Sequence, residues 1–116
     1  MSDGFQIGIG DAIAALPPAP EEQYTIVYRH GTFEAGLYAP RGVDDQTPHT
    51  RDEAYVVVRG RGQFVCGDAR RPFGPGELLF VPAGMTHRFE DFSDDLTVWV
   101  IFYGPQGGET VVGAGE

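Results

Sequence analysis

The sequence predicts an all-β sandwich or barrel. Short runs of β-branched and aromatic residues recur from Tyr24 to Tyr103, the turns between them are rich in Gly and Pro (17 and 9 of 116 residues), and no helical segments alternate with the strands. The length suits one domain with a single core, and 8 Phe, 5 Tyr and 1 Trp argue against disorder.

Residues 1–23 form a leader of different character. Asp11 is placed to N-cap a short helical piece over 12–16, which Pro17-Pro18 stops. Tyr24–His30 then opens the strands, and Thr32–Ala39 follows after Gly31. Residues 40–48 carry two Pro, Gly and two Asp, which is loop chemistry. The clearest strand is Glu53–Arg59, around Ala54-Tyr55-Val56-Val57-Val58. Gly60-Arg61-Gly62 reads as a tight turn that sends Gln63–Cys66 back as the partner of a hairpin. Arg70–Phe73, Glu77–Val81, Thr86–Phe92 and Leu96–Tyr103 supply the remaining strands. Residues 24–103 are therefore the body and 104–116 a tail, in which Thr110-Val111-Val112 could pair with an edge strand.

Charge and composition narrow the function. The 17 acidic residues outnumber 8 basic ones, all Arg, for a net charge of −9 that repels phosphate backbones and anionic membranes. No nucleic-acid partner and no membrane association are expected. No apolar run reaches the ~18 residues of a spanning helix, and no signal peptide is visible at Met1-Ser2-Asp3-Gly4, so a cytoplasmic protein is expected. Cys66 is the single cysteine, which excludes an internal disulfide, and it reads as a small strand hydrophobe.

The chain has three histidines: His30, His49 and His87. His49 and Glu53 stand four apart at the entry to the best strand, and His87 lies where the Pro82-Ala83-Gly84 turn hands over to another. If those strands face each other, two imidazoles and a carboxylate converge, a ligand set that leaves open positions on a metal ion. In the phase of the strand Glu53, Tyr55 and Val57 point inward and Asp52 outward to solvent; Phe89 shares the face of His87, so Tyr55 and Phe89 are expected to line a pocket. Arg88 points the other way, toward outer acidic residues, and His30 ends its strand as a solvent-facing or pocket-edge residue.

Two stretches resemble the motifs of the cupin superfamily. Gly42-(five)-Pro48-His49-Thr50-Arg51-Asp52-Glu53-(six)-Gly60 is similar to the first, G-x5-H-x-H-x3-4-E-x6-G. Gly76-(five)-Pro82-Ala83-Gly84-Met85-Thr86-His87-(three)-Asp91 matches the second, G-x5-P-x-G-x2-H-x3-N, with Asp91 in place of Asn. The resemblance implies a double-stranded β-helix, the jelly-roll cupin barrel, holding one divalent ion (Fe, Mn, Ni or Zn) through His49, Glu53 and His87. His49 falls on the second histidine of the first motif, and Thr47 stands where the first would be. The fourth ligand is then Thr47, Gln46 on an inward-turning loop, water, or Asp44 or Asp45 after a larger loop rearrangement. The family includes dioxygenases, isomerases and decarboxylases, so oxygenase or isomerase-type chemistry on a small molecule is one expectation. A metal-free small-ligand pocket and a purely structural protein are the others. Apolar residues in both phases of Ala54–Val58 and Trp99–Tyr103 call for cover by the leader or by a second subunit, and the resemblance likewise implies a homodimer.

Overall fold

A computed structural model describes residues 4–18, 23–44 and 46–110. It shows an all-β jelly roll of eight strands: β1 (Tyr24–His30), β2 (Phe33–Tyr38), β3 (Asp52–Arg59), β4 (Gly62–Cys66), β5 (Ala69–Phe73), β6 (Leu78–Val81), β7 (His87–Glu90) and β8 (Thr97–Tyr103). One helix, α1 (Ile9–Ala14), precedes them. Two antiparallel sheets face each other, one ordered β1-β2-β8-β3-β6 and the other β5-β4-β7. Val111 and Val112, suggested as part of an edge-pairing segment, lie outside the described residues, as does Asp45.

The alternation of β3 and β8 explains the core. Glu53 pairs with Phe102, Tyr55 with Val100 and Val57 with Val98, and all six side chains point between the sheets. From the smaller sheet Phe64, Phe73 and Phe89 meet them, with Phe89 5.1 Å from the rings of both Tyr55 and Phe64 and 5.2 Å from that of Phe73. These aromatic contacts run edge-to-face or tilted, the arrangements that ring quadrupoles favour.

The expected hairpin of Glu53–Arg59 with Gln63–Cys66 does not form. β3 pairs with β6 and β8, whereas β4 pairs with β5 and β7, so Gly60-Arg61-Gly62 is a corner that carries the chain from one sheet to the other. Gly60 makes that corner possible: its φ is +102°, and a Cβ there would lie 2.6 Å from Leu96 Cα. Gly60→Ala is therefore expected to cost about 2–4 kcal/mol, read as a lowered midpoint in urea unfolding with an unchanged slope.

The helix also differs from expectation. It begins at Ile9, with Gly8 in extended conformation at the N-cap and no side-chain cap, and Ala12 N–H donates to Gly8 O at 3.1 Å. Asp11 sits inside the first turn, where a carboxylate still opposes the positive end of the helix. Ahead of the helix, Phe5 stacks on Tyr28 with ring centroids 4.4 Å apart, which lays the leader against the outer face of β1.

Asp52 is buried rather than solvent-facing. Its Oδ1 accepts the Ala83 N–H at 2.9 Å and its Oδ2 the Glu109 N–H at 2.8 Å. At the first residue of β3 the outward side meets the Pro82–Gly84 turn and the returning chain after β8, so the carboxylate is covered by the segments it ties down. Gly84 N–H donates to His49 O at 2.7 Å and Gly107 N–H to Thr50 O at 2.6 Å, which joins the same turn and tail to the loop carrying His49.

Candidate metal centre

The two sheets bring the distant motifs together at one end of the barrel. Glu53 enters on β3 of the larger sheet, His87 opens β7 of the smaller one, and His49 comes from the loop that feeds β3. Each of the three offers a ligand atom within 4.8 Å of the others. His87 Nε2 lies 3.0 Å and His49 Nε2 3.8 Å from Glu53 Oε1, and the two imidazole centroids are 5.3 Å apart. Bonds of ~2.0–2.2 Å to a common ion would place cis ligands about 3 Å apart and tetrahedral ones about 3.5 Å apart, so the two distances from Glu53 Oε1 are close to those of a shared cation.

The hydrogen bonds sharpen that fit. Glu53 is 2% exposed, and its Oε1 lacks a hydrogen bond although His87 Nε2 stands 3.0 Å away. A buried carboxylate oxygen left this way is costly unless a cation meets it. His87 Nδ1 donates to Met85 O at 2.9 Å, which fixes the ring and aims Nε2 at the centre.

Gln46, not Thr47, turns inward. Its Nε2 donates to Asp44 Oδ2 at 2.6 Å; since a carboxylate only accepts, this bond orients the amide with Oε1 toward the centre. That Oε1 receives the Tyr55 hydroxyl and stands 3.0 Å from His87 Nε2. Thr47 is exposed. Asp44, weighed above as an anionic ligand, is buried and committed elsewhere: it accepts from Tyr38 OH (2.6 Å), Gln46 and the Phe89 N–H (2.8 Å).

Protonation follows from these surroundings. Burial pulls the His49 imidazolium below its ordinary range, only partly offset by Glu53, so the ring is neutral and its lone pair available at neutral pH. Burial also acts downward on His87, but the Glu53 carboxylate and the Met85 carbonyl overcome it and raise that group. Burial, with Glu34 and Glu53 nearby, pushes Tyr24 up to about 12, and burial raises Tyr55 strongly, so both phenols stay neutral donors.

A cavity of about 370 Å³ opens on the cluster, with Tyr24, Tyr38, Tyr55, Arg51 and Phe102 among its walls. Tyr55 lines it as expected. Phe89 does not: it lies a layer deeper at 1% exposure, because the residue two after His87 on β7 already projects into the middle of the sandwich. His30 is exposed on the outer side of β1, away from the cluster. Arg88 faces outward and bonds Glu90. Cys66 is half-buried with Sγ 3.3 Å from Met85 Sδ, and burial pushes its thiol up. Asp91, where the second motif has Asn, stands at φ 49°, a conformation that both residues tolerate.

The orienting role of Asp44, the clamp at Asp52 and the place of Arg51 in the cavity wall are not marked by the sequence motifs. Arg51 lies one residue before β3, and the other two depend on which distant backbone groups come near.

Fold and cluster together define a class, the antiparallel jelly rolls that gather histidines and a carboxylate at one open end. The Cupin_2 cupin domain model matches residues 36–103, and the chain belongs to the cupin family. It is 36% identical over 98 residues to the uncharacterized protein SCO3923 of Streptomyces coelicolor, spanning 83% of this chain and 93% of that one. Among solved structures it resembles a Cupin 2 conserved barrel domain protein from Salinispora arenicola (TM-score 0.66, 19% identity, 90% of this chain and 91% of that one). It also resembles protein NMB1881 from Neisseria meningitidis (TM-score 0.66, 24% identity, 86% and 100%). These likenesses establish the fold. No helix among the described residues is long and apolar enough to cross a membrane.

Proposed function

We propose that the protein is a cytoplasmic metal-dependent cupin that binds one divalent ion through His49, Glu53 and His87, with the Gln46 carbonyl oxygen as fourth ligand, and acts on a small molecule in the adjoining cavity. The observation that carries this is Glu53 Oε1, buried without a hydrogen bond between two imidazole nitrogens. Two nitrogens and two oxygens, with no thiolate, suit Fe, Mn, Ni or Zn. Such an ion supplies Lewis-acid polarisation or dioxygen activation, which fits oxygenase or isomerase-type chemistry. The chain's own groups hold the donors in place, exclude water with Phe102 and Val100, and offer the Tyr24 phenol as a hydrogen-bond donor.

A second reading has its own support. His87 Nδ1 and Nε2 both face acceptors, Met85 O and Gln46 Oε1, so an imidazolium would satisfy them and balance Glu53 in a metal-free ligand pocket. Zinc titration of protein carrying isotope-labelled histidine separates the two by nuclear magnetic resonance. Metal binding is expected to shift the ring nitrogens of His49 and His87 and leave those of His30 unmoved. A His87 ring that stays doubly protonated throughout favours the metal-free pocket.

The reading includes a homodimer. Leu78 and Phe80 on edge strand β6 are 70% and 50% exposed and continue the outward Ala54 and Val56 of β3, an apolar face that a second copy would cover. Leu78→Glu with Phe80→Glu is expected to convert a dimer to a monomer in sedimentation, with the circular dichroism of the fold retained.

A further inference from the structure

Among the described residues Arg51 is the one arginine on the wall of this cavity, in a chain whose charge is −9. It lies one residue before β3 and lines the cavity together with Glu53 and Tyr55. Its guanidinium carbon lies 5.5 Å from the centroid of the Phe102 ring, which in turn meets His49 at 4.9 Å. Nη1 donates to Thr32 O at 2.8 Å, which anchors the side chain. Nη2 stands 3.6 Å from Glu34 Oε2, longer than a hydrogen bond, while Arg29 Nε takes the other Glu34 oxygen at 3.2 Å. Glu34 is therefore hydrogen-bonded to Arg29 and only loosely opposed to Arg51. A planar fork fixed at one nitrogen, beside an aromatic wall and with a carboxylate near but not bonded, is suited to receive an incoming carboxylate. The cavity volume is at the small end of the ~300–1,000 Å³ typical of ligand sites.

We propose that the cavity takes a small carboxylic acid: its carboxylate pairs with Arg51 at the mouth, its apolar or aromatic body lies along Phe102, and its far end faces His49, Glu53 and Gln46. The far-end contact rests on the metal reading above; the anchor at Arg51 does not. An isosteric neutral molecule would lose the charged hydrogen bonds and leave the guanidinium facing an amide, whereas the acid replaces the distant Glu34 contact with a direct one.

Para-hydroxybenzoate and its amide, para-hydroxybenzamide, are matched probes for calorimetric titration. In the presence of chelator the acid is expected to bind about tenfold tighter than the amide. Arg51→Gln is expected to bring the two within about twofold, and Glu34→Gln to widen the preference by removing the competing carboxylate. Equal affinities in the wild-type protein, no binding of either probe, or a preference that survives Arg51→Gln would overturn the proposal. Should Arg51→Gln fail to fold, Arg51→Lys and Glu34→Gln decide it: a preference reduced in the first and enlarged in the second supports the anchor, and one unchanged in both overturns it. Repeating the titration with Mn(II) keeps the two readings apart. Acid preference without metal uptake leaves the anchor standing and removes the metal site; metal uptake without preference does the reverse.

Discussion

Glu53→Gln is expected to abolish tight metal binding while leaving the metal-free protein as stable as the wild type, or more so. The native carboxylate is enclosed at 2% exposure with Oε1 unbonded, so without a metal ion its desolvation penalty is offset only in part, by the attraction of the His87 ring 3.0 Å away. A neutral amide of the same shape relieves that penalty. With metal present the order reverses. An ion at 100 times its dissociation constant would stabilise the wild-type fold by about 2.7 kcal/mol, which at this chain length corresponds to about 10 °C in Tm. The variant loses the one anionic donor of the cluster, and its affinity is expected to fall at least about 100-fold. Thermal melts of both proteins with chelator and with Mn(II) give the comparison. A Glu53→Gln protein that melts well below the wild type in chelator, and gains as much from metal, would show that Glu53 is a structural group.

Asp44→Ala is expected to damage fold and site together. One carboxylate accepts the Tyr38 hydroxyl, the Gln46 side-chain amide and the buried N–H of Phe89. Removing it strands the Phe89 donor in the core and frees the Gln46 amide to rotate, so that its NH₂ rather than its oxygen can face the centre. The expected loss is about 3 kcal/mol in urea unfolding, since hydrogen bonds to charged groups are worth about 1.5–3 kcal/mol each and the hydroxyl and amide can turn to water. Metal affinity is expected to fall about 10–100-fold in the protein that remains folded. Asp44→Asn keeps an acceptor for Phe89 N–H and is expected to recover much of the stability. If it also kept full metal affinity, the charge-fixed orientation of Gln46 would be wrong.

Most strands were legible because their pattern is local. Tyr24–His30 is found with the same bounds, and the other strands differ by one or two residues at their ends. What a local pattern does not carry is which strand pairs with which. A Gly-Arg-Gly turn serves a hairpin and a crossing between sheets equally well, and the crossing at Gly60 packs the backbone against Leu96, distant in sequence. Asp52 shows the same limit: its outward phase was right, but the outside there is occupied by Ala83 and Glu109. The cluster of His49, Glu53 and His87 was legible because two gapped motifs on β-strands fix its members. The residue standing in for the missing histidine was not settled, since a loop has no period to say that Gln46 turns in and Thr47 out. Its orientation depends on Asp44, whose buried partner Phe89 lies 45 positions along the chain.

Metal content is the most direct test of the central claim. Chelator-treated protein would be incubated with Fe(II), Mn(II), Ni(II) and Zn(II) in turn, separated from free ion and subjected to elemental analysis alongside His49→Ala/His87→Ala. About one ion per wild-type chain for at least one of the metals, and none above background in the double variant, is the expected result. Folded wild-type protein that emerges empty from all four, or a double variant that retains its ion, would contradict a shared cation between His49, Glu53 and His87.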